Sequence, residues 1–480
     1  MRNIRKFLAL CAAVLFSLAA LRSPLPVRAD SPVTAQEQVA AINVGWNLGN
    51  TLDSYGTWLT DVNPESVETC WGNPVTTRQM IASVREAGFN TIRIPVTWAH
   101  FTDSNGNVDP SWMARVKQVV DWSLEEGLYV ILNVHHDTGE HGSDKVCWII
   151  ADTGTYASVN QRFANLWTNI ANEFKDYDNR LMFEGYNEML DMNNSWNAPT
   201  AGQGAYDAVN SFAQLFVDTV RATGGNNETR NLIVNTYVAS ADPDVLNHFV
   251  LPNDTVSGHL ICEIHAYTPW NFCSHDGDAS YTAFDSNCQS QIDNLMSSLS
   301  NFSNSTGVPV IIGEFGVENQ NNDSDREAYI EYYMQKATQN GIRCIWWDNG
   351  QLDYGGYGIL DRNTLSWNEP LTNALIDNAP SGTAAEAAAP EVEETEETSA
   401  STTEQAQVET QETVQTQEQI AQQEEPAAGT APSGTEEQGD LQNINANKNS
   451  FILLLIVGII AVLAVYSGLF LLGRRNGRKQ

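Results

Sequence analysis

The chain repeats one phrase: a stretch with apolar residues at helical spacing, a glycine, then a short run rich in β-branched residues. Helical patterns over residues 76–87, 111–126 and 325–339 stop at Gly88, Gly127 and Gly341, and others cover 159–174, 205–222 and 284–299. Strand-like runs fall at 42–48, 91–96, 128–134, 181–186, 232–236, 260–265, 308–313 and 342–347, eight in all. Parallel strands need long crossover connections, so strands alternating with helices predict a parallel sheet. Eight such units over about 350 residues predict an α/β fold, the (β/α)8 TIM barrel, with long loops. A doubly wound open sheet is the rival. It requires a glycine-rich phosphate turn after its first strand, and Gly45-Trp46-Asn47-Leu48-Gly49-Asn50 lacks that spacing.

Both ends of the chain fall outside this pattern. Residues 1–29 carry Arg2, Arg5 and Lys6, an apolar run and the small-residue exit Val27-Arg28-Ala29, the layout of a secretory signal peptide. Residues 30–380 are the expected barrel. From 381 to 449 the chain is rich in Glu, Thr, Gln, Ala and Ser, with about fifteen acidic residues and no aromatic one, so it is expected to be a disordered acidic linker. The segment 450–473 contains an uncharged run from Phe451 to Leu472, long enough to cross a ~30 Å hydrocarbon core as a transmembrane helix. Residues 474–480 follow as a basic tail, with Arg474, Arg475, Arg478 and Lys479, which the positive-inside rule places in the cytoplasm. The expected arrangement is a single-pass membrane protein whose barrel lies outside the cell. A formal net charge of −34 excludes nucleic acid as a natural partner and favours a neutral substrate, and the barrel is expected to be a monomer. Six cysteines remain once Cys11 leaves with the signal. In an exported chain Cys273 with Cys288, and Cys70 with Cys147, are the expected disulfides, whereas Cys262 and Cys344 read as small buried apolar residues.

In a barrel of this kind the site lies at the C-terminal ends of the strands, so polar residues there carry the functional information. Glu188 and Glu314 each stand just beyond an apolar strand run, Asn187 closes the same run as Glu188, Arg93 sits in the second run, and His135, His265, Tyr267 and Trp347 fall at other strand ends. A carboxylate beside a buried strand must be paired, hydrogen-bonded or kept for chemistry. Hydrolysis of a glycosidic bond needs two: an acid to protonate the leaving oxygen and a carboxylate to attack or to activate water. The fourth and seventh strands face each other across an eight-stranded barrel, which suits Glu188 and Glu314 to that division. A guanidinium such as Arg93 would keep one ionised, and repulsion from that anion would raise the other's pKa. His135, His136, Asp137 and His141 also suggest a metal site, but no matching ligand pattern occurs elsewhere. Neither a metal nor a cofactor is expected.

The motifs Gly45-Trp46-Asn47-Leu48-Gly49-Asn50-Thr51-Leu52, Arg93-Ile94-Pro95-Val96-Thr97-Trp98, Asn133-Val134-His135-His136-Asp137, Asn187-Glu188, His265-Ala266-Tyr267, Gly313-Glu314-Phe315-Gly316 and Trp346-Trp347-Asp348-Asn349-Gly350 occur in this order. Together they resemble glycoside hydrolase family 5 of clan A, which holds many bacterial endo-β-1,4-glucanases. The resemblance spans residues 41–379. It implies Glu188 as acid/base, Glu314 as nucleophile, Arg93 and Tyr267 orienting the nucleophile, Asn187 and His135 on sugar hydroxyls, His265 near the acid/base, and Trp347 beneath the sugar. Met189 departs from the family, which commonly has proline after Asn-Glu.

The implied function is a retaining, cofactor-free endo-β-1,4-glucanase (a cellulase) acting on β-glucan polysaccharide at the cell surface. Xyloglucanase, β-mannanase and licheninase activities are rivals on the same scaffold, and a glucan-binding lectin is the rival without catalysis. Among thirteen tryptophans, Trp46, Trp58, Trp71, Trp98, Trp148, Trp196 and Trp270 fall in loop-like sequence expected at the mouth, while Trp112, Trp122 and Trp167 lie on helix patterns expected in the core.

Overall fold

A computed structural model describes residues 32–278 and 280–380. The expected signal peptide (1–29), linker (381–449), transmembrane helix (450–473) and basic tail (474–480) lie outside the described residues. Among the described residues no helix is long and apolar enough to cross a membrane.

Eight parallel strands close into a barrel in sequence order: β1 (Gly45–Asn47), β2 (Thr91–Ile94), β3 (Tyr129–Asn133), β4 (Leu181–Glu184), β5 (Leu232–Asn235), β6 (Leu260–His265), β7 (Val310–Phe315) and β8 (Arg343–Trp346). β1 pairs with both β2 and β8, which completes the ring. The TIM barrel expected from the alternation is therefore the fold, and the open sheet is excluded. The glycine stops work as expected. Helix Pro110–Glu125 begins at an Asp109 N-cap with Pro110 in its first turn, and Gly127 behind it adopts φ 79°, a conformation that costs glycine little.

Period-2 alternation divides each strand between two environments. On β6, Cys262 and Ile264 face the surrounding helices, while Ile261 faces the barrel axis together with Ile131, Met182, Ile233, Ile311 and Ile345. Ala35, Val39 and Ile42 pack onto that inner cluster, so helix Ala35–Ala41 plugs the N-terminal end of the barrel. Sequence reading had not placed that helix. One inward position further along, β3 to β6 present Asn133, Glu184, Asn235 and Glu263, and β1 and β2 add Asn47 and Arg93, all fully buried. An apolar layer therefore supports a polar one. On β7 the register slips between Ile312 and Phe315, and this irregularity brings Glu314 opposite His265.

Two expectations are corrected. All six cysteines of the described residues are free, so neither Cys273 and Cys288 nor Cys70 and Cys147 are joined. Cys288 Sγ instead sits 3.7 Å from Tyr281 Oη, and Cys147 Sγ sits 3.5 Å from the Gly139 carbonyl oxygen. Trp46 and Trp98 are fully buried rather than at the mouth, and the Trp98 indole N–H donates to the Asn133 carbonyl at 3.0 Å. Trp112 and Trp167 are core residues, as their helix positions implied.

Candidate active site

Arg93 is the centre of the polar layer. A buried guanidinium without partners would be prohibitively costly, and here every donor is used. Nε donates to Glu184 Oε2 at 2.7 Å, and Nη2 to Glu184 Oε1 and Asn187 Oδ1, both at 2.9 Å. Nη1 donates to Asn47 Oδ1 at 2.9 Å and to Glu314 Oε1 at 2.7 Å. Glu263 Oε1 lies 3.3 Å from Nε. Three carboxylates around one cation hold Arg93 charged, well above its ordinary range, even though burial opposes that charge. Burial likewise pushes Glu184 up, but the Arg93 charge and hydrogen bonds bring it below the usual carboxylate value.

Glu314 receives a second donor, Tyr267 Oη, at 2.9 Å from Oε2. Each of its oxygens therefore accepts a hydrogen bond, which favours the ionised form. Burial pushes the Glu314 carboxyl up, and the His265 and Arg93 cations pull it back part of the way. Burial and the Glu314 charge drive the Tyr267 phenol well above its ordinary range, so it stays a donor. Asn47 fixes the backbone below: its amide donates to the carbonyls of Gly313 at 2.9 Å and Trp346 at 3.1 Å, tying β1 to β7 and β8.

Glu188, from the turn after β4, is the more exposed of the two acids, at 19% against 6% for the Glu314 side chain. Its Oε1 is 2.8 Å from His265 Nδ1, and that nitrogen is 3.6 Å from Glu314 Oε2. One oxygen of Glu188, one of Glu314 and one His265 nitrogen all lie within 4.8 Å of one another. Burial opposes a charge on His265, yet Glu314, Glu188 and Glu263 outweigh it and raise the imidazole to about 10.

Asn187 and His135 present defined polar edges. Asn187 Oδ1 is committed to Arg93, which leaves its amide N–H groups for a ligand. Asn133 accepts the Val96 N–H at 3.0 Å through Oδ1, so its NH2 faces Glu184 and His135 Nδ1. His135 is consequently an acceptor at Nδ1 and carries its proton at Nε2. Burial and the neighbouring cations keep it neutral, well below the ordinary imidazole value. Trp347 lies just beyond β8, half-buried, its ring parallel to His135 within 4° at 5.9 Å between centroids. Gly49 leaves room for it, because a Cβ there would stand 2.8 Å from Trp347 Cη2.

All eight residues expected at the site therefore converge on one end of the barrel. The His135–His141 run converges only in part: Asp137 accepts from the Trp98 N–H and the Trp148 indole and His141 Nε2 faces the Asp191 carbonyl, while His135 and His136 each bring a ring nitrogen within 4.8 Å of the other and of an Asp53 oxygen. His136 also packs with Tyr55 and Trp71, and its Nε2 lies 3.8 Å from Asp53 Oδ2. Both Asp53 oxygens already accept backbone N–H groups of Asn50 and Thr51. Trp148 has Arg162 over its ring at 3.9 Å, which covers one of its faces, whereas Trp58 and Trp196 stand exposed on loops after β1 and β4, and Trp270 stands exposed at the start of the short helix Trp270–Cys273 after β6. Sequence reading missed Asn47, Glu184 and Glu263. The signal was present: an acidic residue inside an apolar strand run, as in Leu181-Met182-Phe183-Glu184 or Leu260-Ile261-Cys262-Glu263, demands a buried cation.

The family model for cellulase (glycosyl hydrolase family 5) matches residues 52–353. Endoglucanase A of Clostridium longisporum is 40% identical over 374 residues, covering 76% of this chain and 70% of the relative. Endoglucanase A of Ruminococcus albus is 39% identical over 359 residues, covering 72% and 93%. Among solved structures, the GH5-4 broad specificity endoglucanase from Ruminococcus champanellensis with bound cellotriose superposes with a TM-score of 0.68 at 42% identity, covering 72% of this chain and 99% of that one. A family 5 enzyme from Prevotella bryantii B14 in complex with a xyloglucan tetradecasaccharide gives 0.66 at 41% identity, with the same coverage. With its eight-stranded barrel, its paired glutamates and this degree of similarity, the chain belongs to glycoside hydrolase family 5.

Proposed function

We propose that the protein is a retaining endo-β-1,4-glucanase that hydrolyses β-glucan by double displacement. Glu314 is the nucleophile: Arg93 and Tyr267 hold its two oxygens and favour its anion. Glu188, closer to solvent, protonates the leaving oxygen and then activates the water that releases the sugar. The observation that carries this is the approach of the two carboxyl groups, whose nearest oxygens lie within 4.8 Å. Retaining enzymes hold their carboxyl groups about 5 to 5.5 Å apart, while inverting enzymes need about 6.5 to 9.5 Å to admit a water. Asn187 and His135 bind sugar hydroxyls, and the Trp347 indole offers a flat apolar face to the pyranose at the cleavage point. Proton NMR of the first products tests the stereochemistry: β-anomer must appear first, and initial α-anomer refutes the nucleophilic role.

Substrate breadth follows the relatives. One was solved with cellotriose, another with a xyloglucan oligosaccharide, and a third is a family 5 lichenase from Caldicellulosiruptor sp. F32 solved with cellotetraose. Mixed-linkage glucan and xyloglucan therefore stand beside carboxymethylcellulose as substrates to assay. The same reading places the enzyme at the cell surface as a monomer, anchored through residues 450–473 and spaced from the membrane by 381–449. The uncharged run and the basic residues after it support that placement.

A further inference from the structure

Glu263 has no role in the two-carboxylate chemistry, yet it occupies one of the costliest positions in the barrel. It is fully buried on β6 and faces the axis one inward position below His265. Its Oε1 is 3.3 Å from Arg93 Nε and 3.2 Å from His265 Nε2. Oε2 has no hydrogen-bond partner. Space for the carboxylate comes from β7, because a Cβ on Gly313 would fall 1.7 Å from Glu263 Oε1 and 2.3 Å from its Cδ. Gly313 is not among the glycines with positive φ, so its missing side chain serves room rather than backbone conformation.

His265 connects this buried acid to the reacting end of the site. Nε2 faces Glu263 and Nδ1 faces Glu188 Oε1 at 2.8 Å. An imidazolium, with a proton on each nitrogen, satisfies both carboxylates, whereas a neutral ring can donate to only one. We propose that Glu263 is a positioning residue for the acid/base: it clamps the Nε2–H of His265, keeps that ring charged with Nδ1–H aimed at Glu188, and is itself seated by Gly313. This rests on the role given to Glu188 above.

The groups facing Glu263 are Arg93 from β2, Glu184 from β4 and His265 on its own strand, with the neutral Asn235 opposite it on β5; His265 is faced in addition by Glu188, by Glu314 from β7 and, 3.5 Å from Nε2, by Arg93 Nη2. Burial first, then the Glu184 charge, raises Glu263 to about 7, and Arg93 and His265 only partly oppose that. Glu263 is therefore charged above about 7, the range in which His265 would release its proton, and loss of that charge lets the proton leave at a lower pH.

Protein labelled with 13C-histidine is titrated by NMR as wild type, Glu263→Gln and Gly313→Ala, with His265→Gln assigning the signal. Wild-type His265 stays charged beyond pH 8, and both variants lower its midpoint by at least ~1 unit. The kcat–pH profile moves with it, and Glu263→Asp restores part of the shift. Wild-type His265 titrating near 6.5 overturns the proposal. So does a folded Glu263→Gln protein whose His265 midpoint and kcat–pH profile superimpose on wild type. If Glu263→Gln does not fold, the wild-type titration and Gly313→Ala decide. An inactive wild type with a charged His265 would count against the hydrolase reading alone, and an active wild type with His265 near 6.5 against this inference alone.

Discussion

Arg93 Nη1 lies 2.7 Å from Glu314 Oε1 in the buried floor of the site. One contact couples stability to chemistry: the cation that keeps the barrel's inner carboxylates tolerable also holds the attacking oxygen in place. Removing Arg93 therefore has a consequence beyond lost activity.

Arg93→Met leaves Glu184, Glu263 and Glu314 without their shared cation, and an unpaired buried charge costs about 3 to 5 kcal/mol. Urea unfolding is expected to show a loss of at least ~3 kcal/mol together with lost turnover. A variant that unfolds like wild type would show that the carboxylates are already neutral.

Glu188→Gln and Glu314→Gln each remove one half of the double displacement. Turnover on carboxymethylcellulose is expected to fall by at least ~10³ in each, with circular dichroism unchanged. Azide is expected to rescue a small-residue replacement at Glu314, giving product of inverted configuration.

Trp347→Ala removes the flat face expected beneath the sugar. A fall in kcat/KM of about 10- to 100-fold, or about 1.4 to 2.8 kcal/mol, is expected. Gly49→Ala probes the same indole indirectly. Its new Cβ would meet both Trp347 Cη2 and the Asp348 carbonyl oxygen at 2.8 Å, so a smaller loss of the same kind should appear.

The pH dependence of stability follows from His265. Its folded value, raised from 6.5 to about 10, means that the folded state holds a proton the unfolded chain releases. That contribution is complete below pH 6.5 and is lost as pH rises toward about 10. The melting temperature should therefore decline across this window, and His265→Gln should flatten the decline. An unchanged slope in the variant would assign the alkaline loss to other groups.

How far the sequence could be read depended on the kind of signal. The barrel was legible because Gly88, Gly127 and Gly341 close helical patterns just before β-branched strand runs. Seven of the eight site residues were legible because they stand at strand ends, and Arg93 because it is a charge inside the apolar run of β2. The floor beneath them was not, since which face of β4 or β6 points inward depends on closure of the ring, and only that places Glu184 and Glu263 against Arg93. Counting alternate residues along β7 also fails at the irregularity between Ile312 and Phe315, which sets the direction of Glu314. Trp46 and Trp98 looked like mouth residues because polar turn sequence surrounds them, yet both are buried in the core. Loop-like surroundings suggested two disulfides, yet those four cysteines are free, as local sequence carries no information about where the thiols point.

Mass spectrometry of protein inactivated by a 2-deoxy-2-fluoro cellobioside with a good leaving group tests the division of labour between the two glutamates most directly. The fluorine slows breakdown of a covalent glycosyl-enzyme, so the attacking residue keeps the sugar. A single adduct on the peptide that contains Glu314 is expected. Sugar on Glu188, or turnover of the reagent with no adduct and α-configured product, would contradict it.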